Sequence, residues 1–520
     1  MRRPSLVRRA FLARSRECGI GPALYHQMIR SAAIAFLSLN GGVCRAQTPS
    51  GAIEAALRTH DYEDALRLAQ SELSASPKDA RLLTMEGLAF SGLGRKQEAL
   101  EVCEQALKVA PGFRPALETA AQIEYQANSD HAIELLNQLI AQRPSDNTSH
   151  AMLAVLFYRR HDCGTAVKNF AASLQVLSEQ PIALGQYGGC LLHLHRPEEA
   201  VPIFQERLDI APQDRNARAD LALAYLLDHK FPQAIEILQP ILQNEQAGDA
   251  RAFALASHAY EATGDTPHAV DFARRAIVLD PQNPEYFLDF ATLCFDHDSF
   301  QVGIDVLNSG IARLPQSAPL YLARGILHIR LTQFDQGEAD FEKADQLKPG
   351  DVLSSEALGL TKVQQDRPAQ ALETLRAQMR IHPNDSFLLL LFAEAMVQNG
   401  AQPGSPEFKE AITAASRAVR IKPDLAPAHA ILGGLYLKTG DLQATVEECR
   451  LALRDDPSNQ VAMYHLIQAL RREGQTAEIP ELLRRLAVER EAARKKEESE
   501  GNYKLVEGSS AIGAPAEPQR

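Results

Sequence analysis

Tryptophan is absent from this chain, aromatic residues make up only 6% of it, and runs of β-branched residues are scarce. Sheets draw on those side chains, so a β-sandwich or barrel is not expected, and the recurrent Ala and Leu favour helix. Cysteine is sparse too. The seven are widely spaced without a CxxC pair, which excludes a dense disulfide framework and a CxxC-type zinc module. No GxxxxGK, HExxH, GxSxG or dinucleotide fingerprint occurs, so the motif-bearing enzyme classes lack their chemistry here. His193 and His195 lie close together before Pro197, but no further ligands accompany them. No metal, no cofactor and no catalytic residue is expected. Nor is there an uninterrupted apolar run long enough to cross a bilayer.

Charge is unevenly placed. Residues 1–46 hold eight Arg and one acid, Glu17, a net +7; taking that from the −12 of the whole chain leaves −19 for the remainder. So acidic a surface repels phosphate backbones, and nucleic acid is not expected as a partner. The basic segment reads as a leader. Arg30 precedes the short apolar core Ala32–Leu39, and Cys44-Arg45-Ala46 offers small residues three and one positions before a cut ahead of Gln47. Met28 stands at the natural start of such a signal. Export to a periplasm or the exterior is the expectation for residues 1–46. The competing reading is an Arg-rich, acid-poor organelle transit peptide. Beyond the cut five Cys remain, of which Cys103, Cys294 and Cys449 fall in core-facing register as small buried hydrophobes. Cys163 and Cys190 could pair in an oxidising compartment.

The dominant feature is self-similarity at a fixed period. Prolines stand at 77, 111, 144, 212, 281, 315, 349, 383, 423 and 457, with spacings of 34 or near multiples of it. One is missing near 178, where Pro181 comes three residues late, and another near 246. Twelve residues before each expected Pro runs a small-residue series that includes Ala65, Ala99, Ala166, Ala200, Gly337 and Ala411. Twelve earlier again runs a second, with Gly87, Gly188, Gly325, Gly359 and Gly433 among its members. Two antiparallel helices approach closely only where neither presents bulk, and a helix-interior Gly costs about 1 kcal/mol against Ala, so repeated Gly in one slot implies packing. Phe170, Phe204, Phe341 and Leu375, four residues after the small position of the Ala65 series, lie on the same helical face and fill the neighbouring holes. The Pro ends each unit.

A 34-residue period with small crossing residues and a closing Pro resembles the tetratricopeptide repeat family. The clearest unit is 318–351, where Tyr321, Gly325, Gly337, Phe341, Ala344 and Pro349 occupy marker slots. Two slots depart from the pattern, Arg324 for the usual Leu and His328 for the usual Tyr. The resemblance implies an all-α fold, a right-handed alpha-alpha superhelix of about 13 helix-hairpin repeats over residues 47–495. Residues 496–520 are expected to be a disordered polar tail. The extra residues around Ala401–Pro406 are expected to form a surface loop. In the turn Asp296-His297-Asp298 the acids are expected to cap the following helix.

The family lines its concave face with the first helix of each unit. In the eighth to eleventh units the inward slots hold Leu288, Thr292 and Phe295; Leu322, Ile326 and Ile329; Glu356, Leu360 and Val363; then Leu390, Glu394 and Val397. Phe387 extends the patch. The apolar members are expected to form a groove for a protein or peptide segment; alternatively, neighbouring units hide them. Slots where the family's acidic-peptide binders carry Asn hold Val155, Leu223 and Leu360, which argues against an acidic C-terminal peptide. The expectation is a non-enzymatic interaction scaffold of the cell envelope. The alternatives are a recruiting subunit of an enzyme system, for polysaccharide synthesis or protein glycosylation, and an assembly factor for a pilus or secretion machine.

Overall fold

The computed structural model describes residues 49–243, 248–365 and 367–499. The leader assigned to 1–46, the missing Pro near 246 and the tail beyond 499 lie outside them. Among the described residues there are twenty-seven helices and no strand. Twenty-six follow one another as thirteen hairpins, from Pro49–Arg58 with Tyr62–Ala75 to Gln460–Glu473 with Ile479–Ser499; the other is the single turn Leu174–Leu177. The last helix carries four residues past 495. The chain divides into two compact units, one mainly of residues up to 243 and one mainly of residues from 264 on, with the division inside Ala250–Ala262. Within each unit a helix packs on the next in sequence, and first helices of successive hairpins also touch, as Pro284–Asp296 touches Ala318–Arg330. First helices therefore share one face.

The small-residue slots are where helices cross. In the second helices Ala65, Ala99, Ala166, Ala200, Ala371 and Ala411 are completely buried. In the first helices a Cβ added at Gly188 would sit 2.5 Å from the Phe204 ring, and one at Gly325 would sit 2.5 Å from the Phe341 ring. At Gly87 and Gly433 the intruding atoms are the Sγ of Cys103 and Cys449, each 2.7 Å from such a Cβ. Those two cysteines and Cys294 are buried free thiols, pushed up to about 12 by burial. They act as small apolar groups.

Two further periodic features emerge. Each described intra-hairpin turn places a residue at positive φ just past the first helix, at His60, Gly94, Asn128, His161, His195, His229, Gly264, Asp298, Thr332, Gly400, Gly440 and Gly474. Around most of these the next residue's N–H reaches back to the last turn of the helix, as Arg95 N to Phe90 O (2.9 Å) and Gln333 N to His328 O (2.9 Å). This is a Schellman-type helix end, which satisfies otherwise orphaned carbonyls. It accounts for His195 as a turn residue, and among the described residues no cluster of three metal-ligating side chains occurs. It also corrects the capping expectation: Asp298 occupies the left-handed turn and pairs with Arg330 at 3.4 Å, while Ser299 precedes the next helix without a side-chain cap. Second, four residues before the small position of the first helix, a polar side chain donates to the closing Pro carbonyl of the preceding unit. His150 reaches Pro144 (3.1 Å), Arg218 Pro212 (2.9 Å), Tyr321 Pro315 (3.3 Å) and His429 Pro423 (3.0 Å).

The fourth hairpin breaks the rule at its end. Its second helix stops at Ala172, the turn Leu174–Leu177 follows, and Pro181 closes nothing: it is the first residue of the next helix, where its fixed φ suits and its missing N–H costs nothing. Here Cys163 and Cys190 are disulfide-bonded, with Cα atoms 5.0 Å apart, joining the fourth hairpin to the fifth. Asp162 caps the bridged helix by accepting from Thr165 N at 3.0 Å. At the insert, Gly400 and Gly404 take positive φ, and Ser405 caps the sixteen-residue helix Pro406–Ile421. Gln402, Pro403 and Gly404 are exposed, as a surface loop requires.

Candidate functional site

The inward slots of hairpins eight to eleven lie on four first helices of one unit: Pro284–Asp296, Ala318–Arg330, Val352–Gln364 and Ser386–Gln398. Their apolar members divide into two groups. Leu288, Leu322, Val363 and Leu390 are buried at 8%, 8%, 6% and 4% exposure, so their surface is already spent on the core. Phe295, Ile326, Ile329, Leu360, Phe387 and Val397 are half-buried and keep one side free. Each is anchored from below. Ile329 lies over Gly337, where a Cβ would meet its Cδ1 at 2.6 Å. Leu360, Phe387 and Val397 lean on the cluster around Leu388–Phe392. Phe295 meets Phe300 edge-on at 5.9 Å, and the Arg330 guanidinium stands 5.3 Å above its ring. Sequence reasoning missed Arg330, which lies outside the inward slots but reaches them as a cation over an aromatic face. Thr292 turns back and donates to Leu288 O at 2.9 Å.

The two departures in unit 318–351 prove to be one feature. Asp340, 5% exposed on the second helix, accepts from Arg324 Nε at 2.9 Å and from its second nitrogen at 2.6 Å. The remaining arm of Arg324 donates to Asn308 of the preceding hairpin at 2.6 Å. His328 Nε2 lies 3.8 Å from the same Asp340. Arg324 is held above its usual range, first by the hydrogen bond to Asp340, against desolvation. A bidentate, doubly supported pair is what makes a buried charge tolerable.

Two carboxylates enter the stripe. Glu356 is 5% exposed. Glu394 is half-buried in the same slot that holds Leu360 and Ile326 one and two hairpins earlier, and burial pushes its carboxyl above the ordinary range. On the preceding first helix Lys362 pairs with Glu338 of the ninth hairpin and is engaged there.

Phased hairpins crossing at small residues, most with a Schellman-type turn between their two helices, define a helical-repeat protein with a 34-residue period. Three family models described as tetratricopeptide repeat match the chain, at residues 191–259, at 51–112 and 151–215, and at 318–351. The matched segments are tetratricopeptide repeats. The last match coincides with the unit carrying the clearest markers. Among curated proteins, the superkiller complex protein 3 of Mus musculus is 23% identical over 413 residues, covering 74% of this chain and 26% of that protein. The TPR repeat-containing protein YpiA of Bacillus subtilis (strain 168) is 23% identical over 150 residues, covering 29% of this chain and 36% of YpiA. The chain thus spans about a quarter of the first relative's length. Among solved structures, yeast Tom70 shares 14% identity with a TM-score of 0.39, covering 86% of this chain and 96% of that one. YrrB, titled a TPR protein with an unusual peptide-binding site, shares 18% at a TM-score of 0.29, covering 37% and 96%. Helix-repeat arrays of this kind are protein-interaction scaffolds, presenting an extended face of stacked units.

Proposed function

We propose that this chain is an exported scaffold of the cell envelope that holds a segment of another protein along the first helices of hairpins eight to eleven. The observation that carries the reading is the stripe Phe295, Ile326, Ile329, Leu360, Phe387 and Val397, half-buried side chains repeating over the first helices of four successive hairpins of one unit. Side chains anchored on one side and open on the other offer apolar area with little rotamer freedom left to lose on binding. An amphipathic helix or an extended segment laid across them would bury that area. Export is supported by the leader pattern before Gln47 and by the Cys163–Cys190 bridge, since such bonds persist in oxidising compartments.

The clean variant is Ile326→Asp with Leu360→Asp, because both residues are half-buried whereas Leu322 belongs to the core. We expect the double variant to keep its helical circular dichroism and thermal midpoint while losing the proteins that the parent captures from the exported fraction. A folded double variant that captures the same partners would remove the groove from consideration. N-terminal sequencing of the protein recovered from that fraction should begin at Gln47; recovery of the full chain from the cytosol alone would remove the envelope setting.

A further inference from the structure

Three acids at the helix interfaces of the 264–499 unit come with a cation: Asp340 has Arg324, Glu338 has Lys362, and Glu448 has His429 at 2.6 Å. Glu394, inside the candidate groove, is placed differently. It is half-buried on the inward face of Ser386–Gln398, one turn beyond Leu390, and has neither a hydrogen bond nor an ion pair among the described residues. The equivalent slots of neighbouring first helices hold Thr292, Ile326, Leu360 and Gly434, none of which can supply a charge. A Cβ at Gly434 would meet the ring of His465 at 2.5 Å, but that ring is itself turned to Ala430 O at 3.2 Å and is held below the usual His range, chiefly by burial. Residues 264–400 carry nineteen acids against eleven bases, so the surroundings do not compensate it either.

Resting on the groove reading above, we infer that Glu394 selects the occupant: an apolar protein segment that presents one Lys or Arg where it crosses the eleventh hairpin. An unpaired carboxylate held among Leu360, Phe387, Leu390 and Val397 is partly desolvated before anything binds. A cation arriving there gains a charge-assisted bond and relieves that cost. An apolar segment without a base would instead complete the desolvation of the carboxylate. The same carboxylate repels an acidic segment, so it discriminates in both directions.

The test uses the full chain and a phage-displayed library of random dodecamers, panned on wild type, Glu394→Lys, and Ile326→Asp/Leu360→Asp. We expect wild type to enrich apolar dodecamers containing Lys or Arg, and Glu394→Lys to enrich apolar dodecamers containing Asp or Glu. A synthetic copy of the leading wild-type dodecamer should bind Glu394→Gln about tenfold more weakly, the worth of one hydrogen bond to a charged group. The thermal midpoint of Glu394→Gln should hold or rise, which separates loss of recognition from loss of fold. Enrichment without basic bias, or binding to Glu394→Gln within twofold of wild type, overturns the selection role while leaving the groove intact, provided Ile326→Asp/Leu360→Asp abolishes binding. No enrichment on wild type, or binding indifferent to that double substitution, overturns the groove reading itself.

Discussion

Hairpins five and nine solve one packing problem and then diverge. In both, a first-helix glycine, Gly188 or Gly325, leaves room for a second-helix phenyl ring, Phe204 or Phe341, and both rings are 2% exposed. The crossing is therefore the same. What secures it differs. The fifth hairpin follows a junction without a closing proline and is tied to the fourth by the Cys163–Cys190 bridge. The ninth ends regularly at Pro349 and holds the buried Arg324–Asp340 pair across its two helices. The glycine–phenyl slot thus sets hairpin geometry, while the device that fastens it is open to local invention.

The largest effect should come from the shared element. Phe204→Ala and Phe341→Ala each remove a fully buried ring, and each should cost about 4 kcal/mol in denaturant unfolding, near-equal between the two. A gap of more than about 2 kcal/mol would mean that the two crossings are not equivalent. Next comes the device private to hairpin nine. Asp340→Asn leaves the half-buried Arg324 without its counter-charge and should cost about 3 kcal/mol, whereas Arg324→Leu combined with Asp340→Leu should cost far less than the single change. A double variant that loses as much as Asp340→Asn would show that the pair is stabilising in its own right. Smallest is the device private to hairpin five. Cys163→Ser, or reduction of wild type, opens a loop spanning 27 residues and should cost roughly 2 kcal/mol. Asp340→Asn should respond to reductant as wild type does, since separated sites add; a midpoint indifferent to reductant would show that the bridge does not fasten the junction.

The small-residue and proline series were legible because each slot admits few side chains. A helix crossing excludes bulk at Ala65, Ala99 or Gly325 whatever surrounds them, so the requirement is written at single positions. The turn series was not legible, although it has the same period. A positive φ at His60, Asn128, Asp298 and Thr332 is imposed by the back-reaching hydrogen bonds of the helix end, and chemically unrelated residues tolerate it. Gly94, Gly264, Gly400, Gly440 and Gly474 were the visible members, too few to betray the rest. Half of the candidate stripe was readable in the same limited sense. Helical spacing placed Leu288, Leu322, Val363 and Leu390 on the inward face with the others, but spacing gives direction and not depth, and these four belong to the core.

The amino-acid sequence alone determined the helical class, the 34-residue period, the faces that meet and the residues too small to be replaced there, because these follow from local sterics and repetition. Only the tertiary structure decided which inward side chains stay half-open, that Arg324 and His328 answer one buried Asp340, that Cys163 meets Cys190, and that Glu394 is left without a cation. Those outcomes depend on how far neighbouring hairpins close over one another, and side chains 16 or 27 residues apart meet only once the chain has folded.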